Sequence, residues 1–404
     1  MRKILPKIIA LILVLNSSIA NAESTYISKI DNHAIVNSVL VNDEVEAELV
    51  LPENTNNFGF SKIECGAFHC YAIRDNQLYS VGNNQYGQLG WSGTTNQSNW
   101  RIVNGMSGVT AIASGDNHGY AIKDNNLYSV GNNNYGQLGR DGKVNQSTWG
   151  LVSEMSGVTD IAAGISHGYA IKDAQLYSVG WNYFGQLGRE GKINQSTWGI
   201  VNEMNGLATI VSGGNHGYAI KDNQLYSVGY NGNGQLGRGA TNDQSDWGVV
   251  SEMNGLIKIV SGRHHGYAIK DNKLYSVGYN VFGQLGRSGT TNQSTWEVIN
   301  GMDGVTNISA GTIHGYAVKG GILYSVGYNG YGQLGRNGKT SQSDWGIVEG
   351  MSGLDNIVAG GYFGYAISGG EIYSVGNNEN GQLGLGDTAN RSEFTPLDPA
   401  TLVE

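Results

Sequence analysis

Residues 149–180 read WGLVSEMSGVTDIAAGISHGYAIKDAQLYSVG, and the strand count in this stretch decides the fold. WGLVSEM (Trp149 to Met155) ends at a glycine turn, Ser156-Gly157. VTDIAAG follows, up to Gly164. HGYAIK (His167 to Lys172) reaches a turn at Asp173, and LYSVG (Leu176 to Gly180) closes the unit. Each run has the length of a strand, and none sustains a helical period of about 3.6. These are four short strands, a to d. LYSVG starts again at Leu78, Leu127, Leu225, Leu274 and Leu323, and as IYSVG at Ile372, in steps of 49 residues with no insertion. Seven such units predict an all-β, seven-bladed propeller of four-stranded antiparallel blades. A solenoid would need capping repeats, and none is seen.

The termini predict how the ring closes. Strand a begins at Trp100, Trp149, Trp198, Trp247, Trp296 and Trp345, and the next step lands on Phe394. Strand b begins one unit earlier, in SKIECG at Ser61. The first blade is therefore expected to take b, c and d from the N-terminal end and a from EFTPL (Glu393 to Leu397). That C-terminal strand would join the N-terminal blade and leave no open edge. The propeller then spans 60–397, with a tail at 398–404.

Glycine supplies 63 of 404 residues and proline 4, against a usual glycine share of roughly 7%. With 39% hydrophobic and 14% charged residues, the chain can build cores, which excludes wholesale disorder. Residues 1–22, MRKILPKIIALILVLNSSIANA, have a basic start (Arg2, Lys3, Lys7), an apolar run from Ile8 to Leu15 and a small-residue end. They read as a secretory signal peptide cut between Ala22 and Glu23. The apolar run is shorter than the ~20 residues of a membrane span. A secreted or periplasmic protein with no membrane span after cleavage is expected. Loss of those three cations takes the net charge from -9 to -12, which disfavours nucleic acid as a partner. Residues 23–59 are an N-terminal leader, either a hairpin around Asn42-Asp43 or a loose acidic segment.

The unit AGISHGYAIKDAQLYSVGWNYFGQLG (Ala163 to Gly188) resembles the repeat of the regulator of chromosome condensation family, a family of seven-bladed propellers. The shared marks are the glycine ahead of the loop His, the aliphatic c strand, the aromatic-rich d strand and G-x-N-x-x-G-Q-L-G. LGLGDTANRSEFTPL (Leu383 to Leu397) keeps the family's Gly-Asp and Arg linker, whereas other units carry NQSTW or DQSDW. The resemblance covers Phe60 to Leu397. It implies, through the founding member, nucleotide exchange on a small nuclear GTPase by means of an inserted wedge. Every unit here keeps 49 residues, which leaves no wedge. The tryptophan cluster of the family's plant ultraviolet receptor is missing from the b–c loops. The secreted bacterial branch of the family implies another role, inhibition of beta-lactamases through one face.

Strand b runs up, c down and d up, so the b–c loops and the ends of d share an upper face. The lower turns repeat, with KDN or KDA and MSG or MNG in most units. The upper face varies. After SVG stand Asn83, Asn132, Trp181, Tyr230, Tyr279, Tyr328 and Asn377, and the b–c loops add Phe68, Arg263, His264 and Tyr362. Aromatic rings clustered on one face mark a binding surface; the alternative is that they pack the loops. The expected partner-binding face is Trp181, Tyr230, Tyr279, Tyr328, Phe68 and Tyr362, with Arg263 and His264 giving polar specificity.

His69, His118, His167, His216, His265 and His314 recur at one place, with Phe363 in the seventh unit. Each sits on its own blade, so a structural role bonding the loop backbone is expected, and no metal. A two-residue turn at Ala67-Phe68 would set Cys65 opposite Cys70, about 4.5 Å apart at Cα. The pair is read either as a disulfide or as two small core residues. No nucleophile set, Walker loop, HExxH or CxxC is present. The expectation is a monomeric, non-enzymatic binding scaffold without cofactor, favouring a protein partner. A lectin-like carbohydrate binder and a GTPase exchange regulator acting in a host cell are the alternatives.

Overall fold

The computed structural model describes residues 35–41, 44–50, 58–140, 142–189 and 191–403; for 35–50 it describes the backbone. The signal region and its cleavage site, Ala22 and Glu23, lie outside the described residues. The chain divides into two units, Met1–Thr55 and Asn56–Glu404. In the first, Ile35–Val41 pairs antiparallel with Glu44–Val50.

The second unit is a propeller of seven four-stranded antiparallel sheets. Its blades, one to seven, start at the b strands Lys62–Cys65, Val109–Ser114, Val158–Ala163, Leu207–Ser212, Leu256–Ser261, Val305–Ala310 and Leu354–Ala359. Strand b is innermost and lines the central channel. Strand c follows, almost wholly buried, for example His167–Lys172. Strand d comes next (Gln175–Gly180), and an 11-residue outer strand completes the blade (Gln195–Asn205).

The predicted ring closure is corrected here. The outer strand pairs with the d strand that precedes it, not with the b strand that follows. Gln97–Ser107 completes blade one, and Arg391–Pro396 pairs with Glu371–Gly376 in blade seven. Every blade is thus contiguous in sequence. Connection length misled the reading. One glycine links each outer strand to the next b strand, which looks like a hairpin, yet that glycine crosses between blades. The long d-to-outer loop returns to its own blade.

Closure rests on the same junction that joins every other pair of blades. The c-strand Tyr of one blade meets the outer-strand Trp of the next edge-on, as in Tyr71–Trp149 at 5.3 Å and Tyr120–Trp198 at 5.4 Å. Tyr365 of blade seven meets Trp100 of blade one at 5.8 Å in the same way. Six of the GQLG turns pack beneath such an indole, and that of blade six packs beneath Phe394, which Tyr316 meets in the same way. Gly139 has φ +62, and a Cβ there would lie 2.1 Å from Trp198 Nε1, so both conformation and space demand glycine.

Two terminal segments reinforce the last junction. Phe58, assigned to the leader by the repeat boundary, is buried with Phe60 against Trp100 and Leu397. Val403 forms a parallel bridge to Arg101 on the edge of blade one. Val403 N donates to Trp100 O (2.8 Å) and Ile102 N to Val403 O (3.0 Å).

Candidate binding face

The loop after each d strand is built on a fixed frame. The first residue after SVG donates its backbone N–H to the neighbouring b–c loop in all seven blades, as Trp181 does to Ser166 O at 2.9 Å. The second is a buried Asn whose Oδ1 accepts from the Leu of GQLG, as Asn182 does from Leu187 N at 2.9 Å. The Gln of GQLG is buried in every blade. Its Oε1 accepts a backbone N–H, for example from Phe184 to Gln186 at 3.0 Å, and its Nε2 is left to find an acceptor.

The first letter decides that acceptor. In blades one, two and seven it is Asn. Gln88 Nε2 donates to Asn83 Oδ1 (2.7 Å), Gln137 to Asn132 (2.8 Å) and Gln382 to Asn377. In blades three to six it is Trp181, Tyr230, Tyr279 or Tyr328. There the buried Nε2 atoms of Gln186, Gln235, Gln284 and Gln333 have no partner among the described residues. A buried donor without a partner costs about 1–3 kcal/mol. The aromatic letters therefore do not supply the acceptor that an Asn supplies in the other three blades.

The structure joins these rings into a chain around the upper face. Tyr135 lies 5.5 Å from Trp181, which stacks on Tyr183 and meets Phe184. Phe184 meets Tyr230 at 4.8 Å, and Tyr230 meets His264 at 5.4 Å. Tyr279, Phe282 and Tyr328 continue the line, and Tyr362 connects it to Phe68 at 6.4 Å. All six sequence-chosen aromatics are half-buried rather than exposed. Tyr230 and Tyr328 lie over their own loops, where a Cβ on Gly232 would sit 2.4 Å from the Tyr230 hydroxyl. The sequence reading missed Tyr135, Tyr183, Phe184, Phe282 and Tyr331. They are variable letters of the same phrase, and Tyr183, at 64% exposure, is the most open ring among the described residues.

Arg263 and His264 differ from each other in role. His264 sits between Tyr230 and Tyr279, and burial with help from Arg263 lowers its pKa to about 4, so it is neutral. Arg263 reaches across the channel mouth from blade five to blade two, Nη1 lying 3.5 Å from Asp116 Oδ2. Burial pushes the Asp116 carboxyl up, and Arg263 opposes that shift. Below the pair lies a cavity of about 390 Å³ lined by Lys62, Glu64 and Asp160 among others.

The six repeated histidines are fully buried. Burial lowers the pKa of His69, His167, His265 and His314 to about 3 and of His118 to about 4. His167 and His216 pair with Ser212 and Ser261 at 3.1 and 2.9 Å. The others pack edge-on against the c-strand Tyr, as His118 does on Tyr120 at 5.1 Å. Among the described residues no group of His, Cys, Asp and Glu is placed to hold a metal ion. Cys65 lies opposite Cys70 with Cα atoms 4.1 Å apart, and the two are joined as a disulfide.

The upper face thus belongs to a propeller that presents a chain of rings, with the Arg263–Asp116 pair at the mouth of the channel. Comparison with known proteins agrees on the fold. The regulator of chromosome condensation (RCC1) repeat matches residues 75–122, 124–171 and 369–403, and a second model of that repeat matches 60–88 and 109–137. The chain therefore carries RCC1 repeats. Human WBSCR16 is similar at 19% identity, over 80% of this chain and 94% of its own, with a TM-score of 0.71. Prp20p of Saccharomyces cerevisiae is similar at 21%, over 82% and 88%, also with a TM-score of 0.71. No curated protein matches the sequence. Among the described residues no helix is long and apolar enough to cross a membrane.

Proposed function

We propose that the protein is an exported, non-enzymatic scaffold that binds a protein partner with the upper face of its propeller, and that it inhibits the partner where that partner is an enzyme. One observation carries this reading. Four buried Gln amides lose their acceptor in the four blades that place Trp or Tyr after SVG, and keep it in the three that place Asn. Residues that weaken a scaffold locally are explained by a task outside it. Large amphipathic rings are the side chains that protein interfaces favour. Solved relatives fit a protein ligand: Prp20p is described with binding properties to Gsp1p and histones, and the yeast protein has been solved bound to Kap60. Export rests on the sequence of residues 1–22.

The test is capture from cell envelope and culture fluid with two baits. One is the wild-type protein. The other carries Trp181→Asn, Tyr230→Asn, Tyr279→Asn and Tyr328→Asn, which restores the acceptor for each Gln and keeps the fold. A partner held by the first and weakened at least about tenfold on the second is the expected result. Equal capture by both baits overturns the reading. Release by free sugar would turn it toward a carbohydrate ligand, and accelerated nucleotide release from a captured GTPase toward an exchange regulator.

A further inference from the structure

We infer that the partner places a carboxylate side chain over the channel mouth, where Arg263 receives it; this rests on the upper face being the binding face. The seven b–c loops carry Ala67-Phe68, Asp116-Asn117, Ile165-Ser166, Gly214-Asn215, Arg263-His264, Thr312-Ile313 and Gly361-Tyr362. Arg263 is the one residue in these loops that is cationic, since the ring of His264 stays neutral between its two Tyr neighbours. It lines the mouth of the central channel, on the same face as the rings that run from Trp181 to Tyr362.

Its own partner uses little of it. The contact with Asp116 is one Nη1–Oδ2 approach of 3.5 Å, and among the described residues the guanidinium forms no hydrogen bond. A guanidinium has five N–H donors in a planar fork and binds a carboxylate best through two of them. Arg263 is 36% exposed at the side chain and Asp116 24%, so the fork is open toward an incoming group while Asp116 holds its position. Its partial burial leaves the charge less screened than on an open surface. The matching partner is a protein loop with an Asp or Glu at its tip and apolar flanks that rest on Tyr230, Tyr279, Tyr328 and Tyr362. A basic loop would meet Arg263 head-on and is disfavoured.

A display library of disulfide-constrained loops supplies the probe. Loops are selected on the wild-type protein, and those that bind the four-Asn variant equally well are discarded. The expected survivors share an Asp or Glu at one position. They lose at least about tenfold in affinity on Arg263→Gln and less on Arg263→Lys. They gain on Asp116→Asn, which releases the fork. Their affinity falls with added salt. Survivors with no common acid, or with equal affinity for Arg263→Gln, overturn the carboxylate while leaving the binding face intact. An absence of survivors, with every loop binding the four-Asn variant, overturns the binding face itself. Unchanged melting of Arg263→Gln shows that the loss is one of contact.

Discussion

At the residue scale, two buried groups show how the repeat separates scaffold from task. The Gln of GQLG is fixed, and the letter opposite it is Asn in blades one, two and seven and an aromatic in the other four. The loop histidine is the second case. Its ring is held neutral by burial in six blades, and Phe363 fills the same place in the seventh, edge-on to Tyr365 at 6.1 Å. A base whose folded pKa lies below its unfolded 6.5 takes up its proton late. Stability is then whole above pH 6.5 and is lost as pH falls toward the folded values of 3 to 4. Each ring costs about 1.4 kcal/mol per pH unit below that point. Glu64, Asp116 and Asp160, whose carboxyls burial pushes up, act in the opposite sense and offset part of the loss. Followed by circular dichroism, the protein is expected to unfold between about pH 6 and 4. His118→Phe, which puts at this place the ring that blade seven already carries, moves the midpoint to lower pH. A signal flat to pH 3, or a midpoint that His118→Phe does not move, contradicts this account.

At the scale of the element, the sequence showed the strands but not every pairing. Strands b, c and d were legible because two-residue turns tie them into hairpins. The outer strand was not, because its sequence neighbour across one glycine belongs to the next blade. The tail was also illegible. Leu402 and Val403 are ordinary aliphatic residues after a Pro399–Thr401 turn, and only the arrival of blade one beside them makes them a latch. Ile102 is half-buried beside Val403, whereas its counterparts Leu151 and Ile200 are 53% and 50% exposed. Deletion of Leu402 to Glu404 removes the two backbone hydrogen bonds to blade one, the Leu402 N–Pro399 O bond and the Leu402 contact. It should lower stability by about 2–4 kcal/mol, read as a reduced denaturant midpoint with an unchanged native spectrum. An unaltered midpoint would show that the tail does not secure the ring.

At the scale of the whole molecule, seven similar junctions close the ring, six through Trp and one through Phe394, and the ring places residues that no short-range pattern connects. The variable letters of one phrase all fall on the upper face. That Trp181 would touch Tyr135 and Tyr183, and Phe184 would bridge to Tyr230, depends on the spacing of adjacent blades. That Arg263 would meet Asp116 depends on the channel radius, since their loops stand on blades five and two with small residues such as Gly214 and Gly361 between them. Composition and period give the ring; only its closure sets these distances. The central claim is that Trp181, Tyr230, Tyr279 and Tyr328 are kept for contact with a partner and not for packing. The melting temperature of the protein carrying Asn at all four positions tests it most directly. Four restored Gln–Asn hydrogen bonds, each worth about 1–3 kcal/mol, should offset the lost ring contacts, so the account predicts melting at or above the wild-type temperature. Melting well below it would show that the rings are part of the scaffold and would contradict the claim.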